Sequence, residues 1–222
     1  PLRFARGFAT RPGLCRSYTT TWGTTRVWAL GLSKTGTTSL HAYCRRLGLL
    51  SAHWINPFLG TLIDRTDADI FDVVSDTPVV HLARQAAPPA ERRLIVTTRD
   101  FDDWSRSYLA HFCENFGLEA ADFDTLRRIF DRGEPFRFGA PWRAIHHELY
   151  FRFRSLREAY DHHAAWTAGL ACTGRPLLTL PIEVDGKARL VSDFIGAGIA
   201  AGGYPHANRA RATGIGDAAL GQ

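Results

Sequence analysis

The chain has 222 residues, of which 45% are hydrophobic and 22% charged; this is an ordinary globular composition and excludes a largely disordered or collagen-like protein. The length favours one domain with a single core over two small ones. No stretch approaches the roughly 18 consecutive apolar residues of a transmembrane helix, so no membrane span is expected. Four scattered cysteines fit neither a disulfide framework nor a zinc site, and they indicate reduced packing residues in a cytosol-like compartment.

The net charge of +5 is concentrated near the amino terminus. The first 63 residues contain eight basic residues and no acidic one, which leaves 19 basic against 22 acidic residues in the rest of the chain. A basic surface spread over the whole protein is therefore not indicated, and no nucleic-acid partner is expected. Residues 1–25 form a basic leader rich in Ser and Thr, which is typical of an organelle transit peptide or of a disordered extension. We predict a cytoplasmic location, with an organelle as the alternative.

A loop rich in Gly, Ser and Thr surrounds Lys34. An apolar strand at 27–31 precedes it and a helical pattern at 40–48 follows, which predicts strand, loop and helix. Such a loop places backbone N–H groups at a helix amino terminus, where they favour a phosphate or sulfate. Lys34 is informative because Arg outnumbers Lys 25 to 2 in this chain. The Walker A motif has Lys directly after its second glycine, where this chain has Thr37, so a nucleotide triphosphatase is disfavoured.

The rest of the chain alternates between strands and helices. Three more apolar strands are predicted, at 72–75, 93–98 and 176–180. Pro78 ends the first of these and begins a helix, and acidic residues after Arg99 suit the amino terminus of another helix. Further helices are predicted at 144–170 and 184–196. This order predicts a three-layer α/β fold of the P-loop type, with a parallel sheet covered by helices on both faces and ligands at the carboxyl ends of its strands.

The string G-L-S-K-T-G-T-T-S-L at residues 31–40 resembles the 5′-phosphosulfate loop of sulfotransferases. In that superfamily a [K/R]-[S/T]-G-T-T core binds 3′-phosphoadenosine 5′-phosphosulfate (PAPS). The longer string is most similar to a bacterial, fungal and algal branch with a G-x-x-[RK]-T-G-T-T-S-L loop. Later elements, up to a Y-P-x-x-N segment at 204–208, also resemble the family. The resemblance implies one sulfotransferase-like α/β domain at 26–211, followed by a tail at 212–222.

A second segment, R-D-x-x-x-W-x-x-S from Arg99 to Ser107, resembles the same branch. Sulfotransferases hold the 3′-phosphate with an arginine and a serine at this spacing, because a guanidinium matches a phosphate bidentately and a serine adds a hydrogen bond. Arg209 and Arg211 are either further phosphate contacts or part of a solvated basic tail. The resemblance implies a donor site formed by Ser33, Lys34, Thr35, Gly36, Thr37, Thr38, Arg99 and Ser107.

Two residues compete for the role of catalytic base. Many sulfotransferases have a His-x-Pro segment about 23 residues before the phosphate arginine, and Asp76 occupies that position with Pro78 in the matching place. An aspartate with an ordinary pKa near ~3.9 is a weak base unless burial raises that pKa, and the alternative role for Asp76 is a helix cap. His53 is the other candidate, because an ordinary pKa near ~6.5 suits proton transfer. Related members often have Tyr-His there; a purely structural histidine is the alternative.

The resemblance implies transfer of a sulfuryl group from PAPS to a hydroxyl or amine, with no metal required. Lys34 would neutralise charge on the bridging oxygen while Asp76 or His53 accepts the proton. One alternative is a P-loop kinase using ATP and Mg²⁺, which should hold its metal with a Walker-B-type carboxylate; here the strand at 93–98 ends in Arg99 instead. The other is a non-catalytic homologue that binds adenine nucleotides or a partner protein. Neither the acceptor nor the oligomeric state is predicted.

Overall fold

A parallel sheet forms the centre of the computed structural model, which describes residues 26–132 and 139–207. Within these ranges the sheet has five strands in the order β2-β3-β1-β4-β5. The strands are β1 (Val27–Ala29), β2 (Ser51–His53), β3 (Val73–Ser75), β4 (Arg93–Thr98) and β5 (Leu177–Pro181). Ala29 lies beside Ser75 on one side and Ile95 on the other, so the carboxyl ends of the central strands meet at one edge.

Helices cover both faces of the sheet. They are α1 (Thr37–Arg46), α2 (Arg65–Ile70), α3 (Thr77–Gln85), α4 (Phe101–Phe116), α5 (Phe123–Arg132), α6 (Gly139–His146), α7 (Leu156–Ala171) and α8 (Lys187–Ile195), with a π-helical turn at His147–Phe151. Val27 and Ala29 pack with residues of α1 and α8, whereas Trp28 and Leu30 pack with residues of α3 and α7. Buried strands with apolar residues on both faces are typical of parallel sheets. The predicted three-layer α/β fold is confirmed.

One local prediction was wrong and one strand was missed. The pattern at 144–170 predicted one long helix, but the chain forms α6, the π-helical turn and then α7. The break occurs at Ser155, which has extended backbone angles and whose hydroxyl accepts a hydrogen bond from the Glu158 N–H at 3.1 Å, so that a new helix starts there. Strand β2 was not predicted, because it has only three residues and gains its order from pairing with β3.

The leader at 1–25, the tail at 212–222, Arg209 and Arg211 lie outside the residues that the structure describes. Over the ranges that it does describe, no helix is both long enough and apolar enough to cross a membrane.

Candidate active site

The loop between β1 and α1 is held tightly against β4. The Thr35 hydroxyl donates a hydrogen bond to the Leu32 carbonyl at 2.6 Å and lies 2.7 Å from the Thr97 hydroxyl. A Cβ atom at Gly31 would overlap that Thr97 hydroxyl, so only glycine fits there. Gly36, with a φ of 102°, is the residue before α1 and offers no capping side chain. The amino terminus of α1 is therefore presented to a ligand by its backbone, as an anion site requires.

Lys34 lies in this loop and lines a cleft of about 290 Å³. Burial lowers the pKa of Lys34, the negative charge of Asp76 opposes this shift, and the positive charge of Arg99 adds to it. The backbone of the preceding residue, Ser33, is fixed from two sides: its carbonyl accepts a hydrogen bond from the Trp104 indole at 2.9 Å, and its N–H donates to the Tyr150 hydroxyl at 3.2 Å. Lys34 thus extends from a rigid loop into a partly desolvated cleft.

Arg99 and Ser107 line the same cleft as Lys34. Arg99 follows β4, and one of its terminal nitrogens donates to the Lys34 carbonyl at 3.5 Å, while its own carbonyl accepts from the Tyr160 hydroxyl at 2.7 Å. The Arg99 Nε atom is buried and has no hydrogen-bond partner among the residues that the structure describes. A buried donor without a partner is costly, and an anionic ligand would satisfy it.

The two candidate bases are in direct contact. The Nε2 atom of His53 lies 3.3 Å from the Asp76 Oδ2 atom and 2.9 Å from the Thr38 hydroxyl. The Thr37 hydroxyl donates to the same Asp76 oxygen at 3.2 Å. The other oxygen of Asp76 accepts the Thr77 N–H at 2.6 Å at the start of α3, so Asp76 is both a helix cap and part of the cleft. Asp76 and His53 therefore form a pair that contacts the first residues of α1.

The family model of the sulfotransferase domain matches residues 26–213. The chain belongs to the sulfotransferase domain family. This confirms the superfamily predicted from the sequence, whereas assignment to the bacterial, fungal and algal branch stays a prediction. A solved structure of mouse sulfotransferase SULT7A1 complexed with PAP is similar at a TM-score of 0.40 and 13% identity; the match covers 84% of this chain and 64% of that one. The comparison with curated proteins gives no match.

Three side chains of this sulfotransferase domain lie on unusual backbone. Among the described residues, the non-glycine positions with positive φ are Lys34 at 72°, Trp54 at 61° and Asp76 at 83°. Asp76 also has a ψ of −175°, a combination that is essentially restricted to glycine. All three line the cleft. Such backbone costs on the order of 1–3 kcal/mol per residue and is concentrated at functional sites, so its presence here supports the location of the active site.

A second part of the cleft in this sulfotransferase domain is lined by α4 and α6, and not by the loop that contains Lys34. His111, Phe112 and Asn115 of α4 and Trp142 and His146 of α6 line this part. None of these five residues was predicted from the sequence to be a site residue. Spacing on α4 offered one signal, since 107, 111 and 115 lie one turn apart on the same helical face.

The supporting contacts of the loop were also missed. The sequence motif contained Trp104 without predicting its role, and no role was predicted for Tyr150. Both side chains form hydrogen bonds with the backbone of Ser33. Among the described residues, no group of three His, Cys, Asp or Glu side chains is arranged to hold a metal ion.

Proposed function

We propose that this sulfotransferase domain transfers a sulfuryl group from PAPS to a hydroxyl or amine of an acceptor. The observation that carries the proposal is the position of an Asp–His pair directly beside an anion-binding loop, with Lys34 and Arg99 lining the same cleft. PAPS would supply the activated sulfuryl group. The residues of the chain bind the donor, stabilise charge and accept one proton.

The donor end of the cleft fits a ligand with two phosphate groups. The backbone at the start of α1, with Thr37 and Thr38, is suited to the 5′-phosphate. Arg99, whose buried Nε lacks a partner among the described residues, is suited to the 3′-phosphate, and Ser107 of α4 lines the same cleft. Ser33, Thr35 and Gly36 shape the loop. The Lys34 ammonium would offset the charge that develops on the leaving oxygen, an effect that is stronger in a desolvated site.

We propose that Asp76 and His53 act together in accepting the acceptor's proton. A carboxylate 3.3 Å from an imidazole nitrogen orients the ring and stabilises its protonated form. Position in the fold favours Asp76 and residue type favours His53, and the contact between them supports a joint role. The pair would be the general base, and loss of either member would disable it.

The test is calorimetric binding of adenosine 3′,5′-bisphosphate, compared with ATP in the presence and absence of Mg²⁺. We expect the bisphosphate to bind without metal and more tightly than ATP. Arg99→Ala should weaken that binding by roughly 10- to 100-fold, because a charged hydrogen bond is worth about 1.5–3 kcal/mol, whereas Ser107→Ala should cost about 5-fold. Arg106→Ala is the matched control, because Arg106 is an arginine that lies next to Ser107 on α4 but is exposed.

Two outcomes would point to the alternative functions. Tighter, Mg²⁺-dependent binding of ATP would favour a kinase. Binding of the bisphosphate without turnover of PAPS by any acceptor would favour a non-catalytic homologue. The metal-free donor site, the domain at 26–211 and a cytoplasmic location, with an organelle as the alternative, belong to the same proposal and stay predictions.

A further inference from the structure

Two buried aromatic side chains hold the backbone directly before Lys34. The Trp104 indole N–H donates to the Ser33 carbonyl at 2.9 Å, and the Ser33 N–H donates to the Tyr150 hydroxyl at 3.2 Å. We call these two hydrogen bonds the Ser33 clamp. Trp104 and Tyr150 are both 0% exposed, and their rings stack with 6.3 Å between centroids. Both halves of the clamp therefore come from the packed interior and not from the loop itself.

The Tyr150 half of the clamp comes from the π-helical turn at His147–Phe151. In this turn the Arg152 N–H donates to the His147 carbonyl, five residues earlier, at 2.9 Å. Such turns are rare and occur frequently at functional sites. Here the turn places a tyrosine hydroxyl against the loop that contains Lys34, which gives the irregular backbone a role.

The helices that provide the Ser33 clamp also line the second part of the cleft. Trp104 and His111 lie on the same face of α4, and His111 lines the cleft. His146, the last residue of α6, lines it as well, and its ring lies 5.4 Å from that of Tyr150. The clamp therefore ties the backbone before Lys34 to both helices, and these contacts set its position relative to the rest of the cleft.

Lys34 needs such a constraint because its own backbone is unfavourable. Its φ of 72° lies in the left-handed region, and strain of this kind persists only where the surrounding structure enforces it. The Lys34 carbonyl accepts a hydrogen bond from an Arg99 terminal nitrogen at 3.5 Å, which is a long and weak contact. The Ser33 clamp is therefore the stronger of these two constraints on the Lys34 backbone.

We propose that Tyr150 is a positioning residue for Lys34, with Trp104 as its counterpart in the Ser33 clamp. Together they fix the two peptide groups of Ser33, which keeps Lys34 in the left-handed conformation and its side chain in the cleft. This role rests on the proposed function, in which the Lys34 ammonium offsets charge on the leaving oxygen and must be held in place to do so. Without the Tyr150 hydroxyl the loop would relax, and the ammonium would become more exposed to water.

The experiment measures the pKa of Lys34 in the free protein. Burial lowers this pKa, the charges of Asp76 and Glu114 oppose the shift, and the charge of Arg99 adds to it. Trace acetylation with acetic anhydride over a series of pH values, followed by mass spectrometry of the peptides, gives the pKa of each lysine. The chain has only two lysines, so Lys187 is an internal reference.

Tyr150→Phe removes the hydroxyl and keeps the ring. We expect it to raise the pKa of Lys34 by about half a unit or more, towards the ordinary value of about 10.4, because relief of burial favours the charged ammonium. The pKa of Lys187 should not change. Tyr108→Phe is the matched control, because Tyr108 is buried 4.8 Å from Tyr150 between ring centroids and its hydroxyl has no hydrogen-bond partner among the described residues. The control should leave both lysines unchanged.

An unchanged Lys34 pKa in Tyr150→Phe would overturn the proposal, and so would an equal shift in Tyr108→Phe or a parallel shift of Lys187. If Tyr150→Phe does not fold, Trp104→Phe breaks the other half of the clamp and is judged by the same criteria. The labelling needs no donor, so its result is independent of the proposed function. Failure of adenosine 3′,5′-bisphosphate to bind the parent protein would count against that function alone.

Discussion

His146 should make the folded protein sensitive to acid. In the unfolded chain its pKa is near 6.5, whereas burial lowers the pKa to about 3 in the folded protein. As pH falls below 6.5 the unfolded chain therefore binds a proton that the folded protein does not. The contribution of the neutral His146 side chain to the free energy of unfolding is fully present above pH 6.5 and is lost as pH falls towards 3. At about pH 4.5 the difference spans two pH units, which corresponds to roughly 2–3 kcal/mol in the free energy of unfolding.

His146→Phe removes this proton while it keeps the ring contacts with Phe112, Trp142 and Tyr150. We expect the variant to be about as stable as the parent protein near pH 7 and roughly 2–3 kcal/mol more stable relative to it near pH 4.5. Urea unfolding followed by tryptophan fluorescence at the two pH values measures this difference. The control is His147→Phe, at the exposed neighbouring position. Equal losses of stability on acidification in the parent protein and in His146→Phe would refute the reasoning.

The other predictions concern the loop and the reacting groups. Gly31→Ala should lower the free energy of unfolding by roughly 1–3 kcal/mol because its Cβ overlaps a threonine hydroxyl of β4, whereas Gly169→Ala, on an open helical surface, should not destabilise; urea unfolding compares them. Lys34→Ala should abolish turnover, and Lys34→Arg should retain little, because a planar guanidinium does not fit where a compact ammonium does; an arginine variant at full rate would contradict this. Asp76→Asn should keep donor binding yet lose roughly 10²- to 10⁴-fold in rate. The double variant Asp76→Asn/His53→Ala should lose no more turnover rate than the slower single variant, because the two side chains act as a unit. Additive losses of rate would show that they have separate roles.

Local signals were sufficient to predict the strand, loop and helix that surround Lys34. An apolar strand, a loop with Lys34 and a helix are consecutive in the sequence, and Asp100 marks the start of α4 by accepting the N–H groups of Asp102 and Asp103. The break at Ser155 was encoded in the same local way, since a serine three residues before Glu158 is a helix-start signal. The continuous apolar and aromatic pattern around it favoured an unbroken helix instead.

Long-range pairing explains what the sequence did not predict. His53 and Asp76 are 23 residues apart and were treated as competitors. They are neighbours because β2 pairs with β3 and sets His53 beside Ser75, the residue before Asp76. The part of the cleft that is lined by α4 and α6 depends in the same way on the packing of these two helices, which no spacing within either helix specifies.

The three strained positions of the cleft also bear on how this protein would respond to selection. Glycine adopts the backbone of Lys34, Trp54 and Asp76 without the cost that their side chains incur. A library selected for heat resistance alone should therefore enrich glycine at these codons, and the enriched clones would lack an ammonium, an indole and a carboxylate from the cleft. If Lys34 and Asp76 act in turnover as proposed, heat resistance and turnover are opposed at these two positions. A screen that requires both would have to gain its stability elsewhere in the fold.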